Sequence, residues 1–519
     1  MSLSQRLARV QPVMPGVQRT FIPFGEWLPD LGSFNNPGVY LSPGFFPVGS
    51  GFKSVKNVSV ASDAIDNRPQ GLVAARDTAS NIYVYSGDSS KIYSLTSQVW
   101  GDVSKGGGYN TAADDVWSFV QFNNKIIATN FADPVQAITL GGANFADLIT
   151  STNKPKARYV AATRNFLILG NTNDTTDGAK PNRVWWSAIG DETDFDPAAS
   201  TQSDYQDIET GGWIRAIVAF AEYALIFMDS SVVRMTYEGP PTIFRFDVID
   251  STRGTPFPGS VISQGRNVYF ISEEGFMVTD GVSVRPIGHN KVDNDLFAYT
   301  DGVFFDRFSS AIDPLNKLIL FGAPSPQGIL NRTYIYSWAE QKFSLLEHLP
   351  ALSQYATILT QGYTLDGLDV LGTDIDDSGV FANSFDSRLW SGGLLQLAAM
   401  DSNKKLVLFD STPSPACGIT TSFQRFGRQK SRVLGFRIHS SGLGSPMASV
   451  TASIFSTSDP GTATTTITSL DVRTALDSYI PVPTGSDNWY HRFSLTWSAG
   501  LSDVIISGID VDWVPTGAY

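Results

Sequence analysis

The chain has 519 residues, of which 42% are hydrophobic and 17% charged, with a net charge of −13 and a single cysteine. This length exceeds what one hydrophobic core usually supports, so more than one domain is expected. Cys417, the only cysteine, excludes an intrachain disulfide framework and a multi-thiolate zinc site. The excess of acidic residues argues against a protein that binds nucleic acid, because phosphate binding needs clustered Lys and Arg. It is compatible with an acidic channel wall that repels phosphates and lets DNA pass without binding it.

The first segment, residues 1–68, is crowded with Pro, Gly and Phe and has little periodicity. Segments of this composition run extended over a neighbouring surface and anchor by their rings. We therefore predict an extended N-terminal arm. Two roles are open for it: a linker or strand that helps to close the next domain, or an arm that docks on another subunit.

Residues 69–415 contain a strand-rich unit that recurs about every forty residues. Six copies are clear and a seventh, degenerate one is expected over 368–411; the clear copies cover 81–103, 116–140, 157–197, 213–249, 259–288 and 308–347. A fixed period made only of strands is typical of a β-propeller, whose blades bury their faces by stacking around an axis. We predict an all-β chain with a six- or seven-bladed β-propeller over 69–415.

Composition changes near Cys417. Residues 420–442, 448–459 and 491–514 alternate apolar and polar side chains, which is the pattern of half-buried strands. We predict a small antiparallel β-sandwich over 416–519 as a separate C-terminal domain. The most apolar stretch of the chain, 213–228, is too short and too charged to span a bilayer.

Catalytic signatures are missing from the sequence, which has no GxSxG, HExxH, Walker A or strand-linked GxGxxG motif. One catalytic alternative stays open, because glycosidases built on propellers place acids around the central channel. The candidate acids are Asp191, Asp194, Asp196, Glu273 and Glu274. The other interpretation places them in solvated turns, where Asp caps backbone amides. We predict that the protein is not an enzyme and uses no cofactor.

Two acidic loops resemble parts of calcium sites. Asp374, Asp376 and Asp377 precede Ser378-Gly379 like the start of a cation loop, but no bidentate Glu follows at the twelfth position. The loop at 171–178, NTNDTTDG, is similar. A structural Ca²⁺ site and an ordinary Asx-rich turn are both open interpretations, and we predict no metal elsewhere.

The aromatic pair Trp185-Trp186 suggests a carbohydrate platform. Neighbouring residues of a strand face opposite sides, so at most one of the two rings can face a ligand. The competing interpretation, which we favour, is that both rings pack between blades or between subunits.

The middle of the chain resembles a known family. The similarity lies in the segments NRVWWSAIGDETDFDP, SDYQDIETGGWIRAIVAFAEYALIFMDSSVVRMTYEGPPTIFRFDVI and RGTPFPGSVISQGRNVYFISEEGFMVTDGVSVRPIG. These resemble the propeller region of the tail nozzle (tail tubular or hub) proteins of tailed bacteriophages. WLPDLGSFNNPGVYLSPGFFPVGSGFKSVKNVSV is similar to the opening of that group, and LAAMDSNKKLVLFD, followed by Gly427-Arg428, is similar to its close.

The resemblance implies a virion structural protein of the tail, located in a homohexameric ring below the portal and adaptor. Its partners would be the tail adaptor protein and tail fibres or spikes, and viral DNA would pass transiently through the lumen. The chain departs from the longer nozzle proteins in its modest size, which leaves little room for platform and tip domains. The alternative function is a receptor- or glycan-binding propeller at the tail periphery.

Overall fold

The structure, a computed structural model, is built almost wholly from antiparallel strands. It describes residues 16–34, 36–300, 304–347, 350–360, 393–411, 414–442, 450–459, 466–470, 479–482, 487–498, 501 and 504–517. The chain divides into two units, of which unit 1 contains 1–56, 342–348 and 412–519, and unit 2 contains 57–341 and 349–411. Strands are numbered in chain order, β1 to β39.

Unit 2 contains seven blades. Blade 1 is β6 Gly71–Arg76, β7 Ile82–Gly87, β8 Ile92–Thr96 and β9 Val99–Asp102. Blade 2 is β10 Ser118–Phe122, β11 Lys125–Thr129, β12 Gln136–Thr139 and β13 Ala146–Asp147. Blade 3 is β14 Lys156–Thr163, β15 Phe166–Asp174, β16 Gly178–Trp186 and β17 Asp204–Asp207. Blade 4 is β18 Ile214–Ala219, β19 Tyr223–Met228, β20 Val232–Gly239 and β21 Ile243–Asp250. Blade 5 is β22 Ile262–Gln264, β23 Asn267–Ser272, β24 Gly275–Thr279 and β25 Val284–Pro286.

The last two blades are linked by a single residue pair. Blade 6 is β26 Ser309–Asp313, β27 Leu318–Pro324 and β28 Leu330–Ser337, and blade 7 is β30 Leu352–Leu359, β31 Leu395–Asp401, β32 Lys405–Ser411 and β5 Asn57–Ala64. Between blades 5 and 6 lie the helix α1 Asp293–Tyr299 and a 3₁₀ turn Phe305–Arg307; a second 3₁₀ turn, Pro258–Ser260, precedes blade 5. No helix of the described chain is long and apolar enough to cross a membrane.

The blades form a closed ring, which confirms the predicted β-propeller. Their faces are buried against each other, so the central strand β19 (YALIFM) is a nearly continuous apolar run, and β15 (FLILGNTND) begins with one. Apolar clusters lie between blades 1 and 2, 2 and 3, 3 and 4, 4 and 5, and 7 and 1. Tight turns join the strands. For example, Gly265, with φ +61°, begins the two-residue turn between β22 and β23, where a left-handed conformation is needed.

The ring is closed by a strand from the N-terminal segment. β5 pairs antiparallel with β32, with Ser59 opposite Leu408 and Val60 opposite Val407, and so becomes the outermost strand of blade 7. One of the two roles open for residues 1–68 was a strand that closes the next domain, and β5 occupies that place.

Unit 1 is a two-sheet β-sandwich assembled from three parts of the chain. One sheet has the order β3-β4-β39-β34-β37, with β1 also paired to β39, and the other has the order β2-β33-β38-β35-β36. These strands, with β29, are β1 Gln18–Pro23, β2 Val39–Leu41, β3 Phe45–Val48, β4 Gly51–Ser54, β29 Lys342–Leu346, β33 Cys417–Thr421, β34 Lys430–Gly442, β35 Val450–Thr457, β36 Thr466–Leu470, β37 Tyr479–Pro481, β38 Tyr490–Trp497 and β39 Val504–Gly517.

The unit boundaries differ from the predicted 1–68, 69–415 and 416–519. Residues 18–54 form strands of the sandwich where an extended arm is predicted, because β1 and β4 both pair with β39, more than 450 positions later. The two sheets meet through aromatic contacts, with ring centroids 5.6 Å apart for Phe45–Trp497 and 5.2 Å for Phe436–Phe493. Part of this core is thus supplied by the Phe-rich N-terminal segment, which has little periodicity of its own.

Candidate functional site: the channel of the propeller

A cavity of about 540 Å³ lies on the axis of unit 2. The innermost strand of each of the seven blades contributes to its wall; these strands are β6, β10, β14, β18, β22, β26 and β30. We call the face where these strands begin the top face and the opposite one the bottom face. The volume matches a small-molecule pocket.

Arginines recur at the top end of the channel. In four blades an arginine lies within three residues of the start of the innermost strand: Arg68, Arg158, Arg215 and Arg307. Burial, and then repulsion from Arg307, lowers the pKa of Arg68. The nearest acids come from the connections that lead into blades 2 and 6, so the site combines residues far apart in sequence.

Most of these charges are neutralised in pairs. Arg307 Nη2 lies 3.1 Å from Asp114 Oδ1, and Arg215 Nε lies 2.5 Å from an oxygen of Asp229. Arg158 forms an ion pair with Asp115. The remaining cation, Arg68, donates from Nη2 to the carbonyl oxygen of Ala113 at 2.6 Å.

Asp306 is the exception. Its carboxylate has no hydrogen bond or ion pair within the described ranges, although Arg215, Arg158, Asp115 and Asp114 all act on it electrostatically. Asp306 is an exposed residue, yet desolvation by the protein beside it raises the pKa of its carboxyl group; the charges of Arg215 and Arg158 oppose the shift. Asp306 is therefore an exposed acid without a hydrogen bond or ion pair among the described residues.

Four residues of the cavity wall also carry a polar atom that is shut off from solvent and has no partner among the described residues: Gln70 Oε1, Ser310 Oγ, Gln354 Oε1 and Arg307 Nε. Gln70 is only 3% exposed, and its Nε2 donates to the carbonyl oxygens of Ala112 and Asp115 at 2.7 and 2.8 Å. Those two bonds fix the orientation of the amide, because exchanging its O and N would set oxygen against oxygen. Two of these four buried atoms are therefore amide acceptors, one is a hydroxyl and one is a donor.

The two tryptophans lie elsewhere. Trp185 packs between blades 2 and 3 and Trp186 between blades 3 and 4, each 3% exposed. Trp186 Nε1 donates to Gln202 O at 2.8 Å. The rings point to opposite faces of β16, and neither presents a face to a ligand in this unit, so the carbohydrate platform has no exposed aromatic residue at this pair.

The acids considered for catalysis are not in the channel wall. Asp191 accepts hydrogen bonds from the backbone N and hydroxyl of Thr193, and Asp194 from the backbone N of Asp196. Asp196 accepts from the backbone N of Thr152 and Asn153, and the bond from Asn153 is the main cause of its lowered pKa. These acids stabilise turns. Glu274 pairs with Arg253 at 2.9 Å, and Glu273 lies exposed beside it.

The first calcium candidate, Asp374, Asp376 and Asp377, lies outside the described residues. At the second, the loop 171–178, an arginine takes the place of a cation. Arg183, 4% exposed, contacts Asp174 at 3.0 Å and Asp177 and Asp207 at 2.6 Å. Within the part of the chain that the structure describes, no cluster of three or more His, Cys, Asp or Glu is arranged to hold a metal ion.

Sequence reasoning missed the channel residues. The signal that could have found them is an alignment of the repeats, which brings Arg68, Arg158, Arg215 and Arg307 to similar places at the start of the innermost strand. No such signal identifies Asp306, because its neighbours come from blades 2, 3 and 4.

Comparisons with known proteins add no family. No protein-family model matches the chain, and no curated protein matches it. Among solved structures, the chain is similar to the computationally designed Ika8 protein, with 8% identity and a TM-score of 0.36 over 71% of this chain and 96% of that one. It is also similar to BamB from Moraxella catarrhalis, with 9% identity and a TM-score of 0.35 over 71% of this chain and 94% of that one.

Proposed function

We propose that this chain is a virion structural protein of a bacteriophage tail, which assembles as a homohexameric nozzle or hub ring. In this role it forms a conduit for DNA ejection and a platform for the adaptor and for fibres or spikes. The resemblance of the middle segments to tail nozzle proteins motivates the proposal. Since the channel of one propeller has only the volume of a small-molecule pocket, the lumen for DNA would have to lie between copies.

The observation that carries the proposal is a set of exposed apolar side chains on one face of the propeller. In an antiparallel four-stranded blade, the first and third connections lie at the same end, which here is the bottom face. Five apolar residues in or beside these connections are exposed, in blades 1, 3, 5, 6 and 7: Val99, Ile189, Val282, Leu315 and Leu395. Leu315 is 81% and Val282 71% exposed. The top face also carries exposed apolar groups, since Trp213 is 51% and Phe305 40% exposed, but the five residues above come from five different blades. Apolar groups left in solvent in this number favour assembly over a monomeric state.

The charge of the chain fits the same role. A net charge of −13 keeps the surface soluble and repels phosphate, so a lumen lined by several copies would not hold DNA in place. Stability without disulfides would come from closed sheets and from burial between copies.

The test is the mass of the purified full-length chain in solution. We expect a species near six protomers by light scattering or mass photometry, and rings by negative-stain microscopy. Leu315→Asp places a charge on the bottom face and should shift the population towards monomer. Gln327→Asp is the matched control, because Gln327 is an exposed residue in the top-face turn of the same blade.

A chain that stays monomeric over varied salt and protein concentration would contradict the proposal. So would a Leu315→Asp variant that assembles as well as Gln327→Asp.

A further inference from the structure

One surface of the sandwich in unit 1 combines aromatic rings with arginines that have no acidic partner. It lies on β38 and the residues beside that strand. His491 and Phe493 are buried in the core, so Tyr490 and Arg492, which alternate with them along β38, point outward. We call this surface the aromatic–arginine face; it consists of Phe34, Tyr40, Phe423, Arg425, Trp489, Tyr490 and Arg492.

Arg492 is a partly buried cation without a carboxylate. Its Cζ atom lies over two rings, 4.6 Å from the centroid of Tyr40 and 4.1 Å from that of Phe423. Burial lowers the pKa of Arg492, and no carboxylate of the described chain opposes the shift. Its Nε is shut off from solvent, but its two terminal nitrogens, which make no hydrogen bond among the described residues, are not. The two rings therefore hold a guanidinium group whose outer edge is open to a partner.

Arg425 and an exposed ring extend this face. The Cζ atom of Arg425 lies 4.7 Å from the ring centroid of Trp489, and within the described ranges no ion pair joins this exposed arginine to an acid. Phe34 is 43% exposed and packs edge-on against Tyr490, with the ring centroids 4.8 Å apart. Trp, Tyr, Phe and Arg side chains are enriched where protein interfaces bind most strongly.

The arrangement of the rings favours a polypeptide over a sugar or a nucleic acid base. Tyr40, Phe423 and Trp489 each carry a guanidinium group over the ring, so those ring faces are not free for stacking. A chain with a net charge of −13 also repels phosphates. An open guanidinium edge between apolar rings fits a carboxylate that has apolar neighbours.

The chain itself contains a segment of this chemistry. Residues 361–392, which lie outside the described residues, connect β30 to β31 and contain six Asp, one Arg and no Glu or Lys. The acids lie among apolar residues, as in LDGLDVLGTDIDD. As the first connection of blade 7, the segment starts and ends at the bottom face, where Gly393 N donates to Thr360 O at 2.8 Å. With its ends held together, a connection of this length extends at most about 50 Å from them.

We propose that the aromatic–arginine face binds the acidic segment 361–392 of a second copy of this chain, with Arg425 and Arg492 donating charge-assisted hydrogen bonds to its aspartates. This inference rests on the proposed ring of copies and names one of its contacts. Because the two surfaces differ, the contact is heterologous, and contacts of this type close into rings.

An exchange of charges in the full-length chain tests the contact. The face variant is Arg425→Glu/Arg492→Glu, and the segment variant is Asp374→Lys/Asp376→Lys/Asp377→Lys. Alone, each variant sets like charges against each other at every contact, so association should weaken about tenfold or more. Mass photometry should then show monomers in place of rings. An equal mixture of the two should form rings again, because glutamates of the face variant meet lysines of the segment variant, and unaltered arginines meet unaltered aspartates at the next contact.

The control is Arg245→Glu/Arg285→Glu, which changes the net charge as much as the face variant does. These exposed arginines lie on the outermost strands of blades 4 and 5, and the control should assemble like the wild type. Melting temperatures of all variants distinguish a loss of fold from a loss of association. If the face variant melts lower than the wild type, the milder Arg425→Gln/Arg492→Gln should still weaken association severalfold.

Two outcomes would overturn this inference and leave the tail function intact. One is a folded face variant that forms rings as well as the wild type does. The other is a mixture of folded variants that does not restore rings, which is the result expected if the segment docks within its own copy. A wild type that stays monomeric would instead contradict the ring, and with it both proposals.

Discussion

Arg183 neutralises the acidic loop that resembles part of a calcium site. Its guanidinium is almost fully buried among Asp174, Asp177 and Asp207, and the hydrogen bond to Asp207 is the main cause of its raised pKa. It also lies over the ring of Tyr205, 4.1 Å from the centroid. The acidic loop 171–178 is therefore neutralised from within its own blade.

We expect Arg183→Met to lower the free energy of unfolding by about 3–5 kcal/mol, because it leaves the buried Asp174 carboxylate unpaired. Urea unfolding followed by tryptophan fluorescence measures the change. Arg245→Met is the control: this exposed arginine contacts Glu238 and Asp247, and surface pairs contribute little. Equal stability of the Arg183→Met and Arg245→Met variants would contradict the structural role of Arg183.

His491, which is fully buried in the sandwich, makes stability depend on pH. Its Nε2 lies 3.1 Å from Ser431 O and its Nδ1 accepts from Ser456 Oγ at 2.8 Å, which fits a neutral ring protonated on Nε2. Burial lowers its pKa to about 4. The unfolded chain binds this proton near pH 6.5 and the folded chain only near pH 4, so stability is complete above about pH 6.5 and falls as the pH drops towards 4.

At pH 5 the expected loss from this residue is about 2 kcal/mol relative to pH 8. The contribution of His491 is measured by comparing the melting temperatures of the wild type and His491→Gln at both pH values. The variant should lose less stability than the wild type when the pH falls. His289→Gln, at an exposed histidine of unit 2, should behave like the wild type. If His491→Gln keeps the full pH dependence, the neutral buried state is wrong.

At the scale of elements, β5 decides whether the propeller closes. Besides its ladder with β32, Ser62 accepts hydrogen bonds from Trp100 Nε1 and from the backbone N of Leu406, both at 2.9 Å. One strand thereby joins blade 7 to blade 1. Without it, two buried donors lose their acceptor and the outer edge of blade 7 is exposed.

We expect a fragment of residues 57–411 to melt cooperatively and a fragment of residues 65–411 to melt about 10 °C lower or more, or not to fold. Differential scanning calorimetry of both fragments checks this. A synthetic peptide of residues 57–64 should raise the melting temperature of the shorter fragment. Identical transitions of the two fragments would show that β5 does not close the ring.

At the scale of the whole molecule, the β-sandwich needs both the N-terminal and the C-terminal segment in order to fold. The sandwich takes residues from before, within and after the propeller, so neither the N-terminal nor the C-terminal segment has a complete core without the other. Exposed apolar side chains lie at both faces of the propeller, and their burial between copies is the basis of the proposed assembly.

The sequence by itself determined the local features. Strands and turns depend on neighbouring residues, so alternating or continuous apolar runs and polar turns predicted the strands, the repeat and the propeller. One such turn is Asn123-Asn124, where Asn123 adopts φ +53°. Only the tertiary structure decided the pairing of β1 with β39 and of β5 with β32, and the gathering of Arg158, Arg215 and Asp306 at one end of the channel. These depend on contacts between residues tens to hundreds of positions apart, for which a single sequence carries no periodic signal.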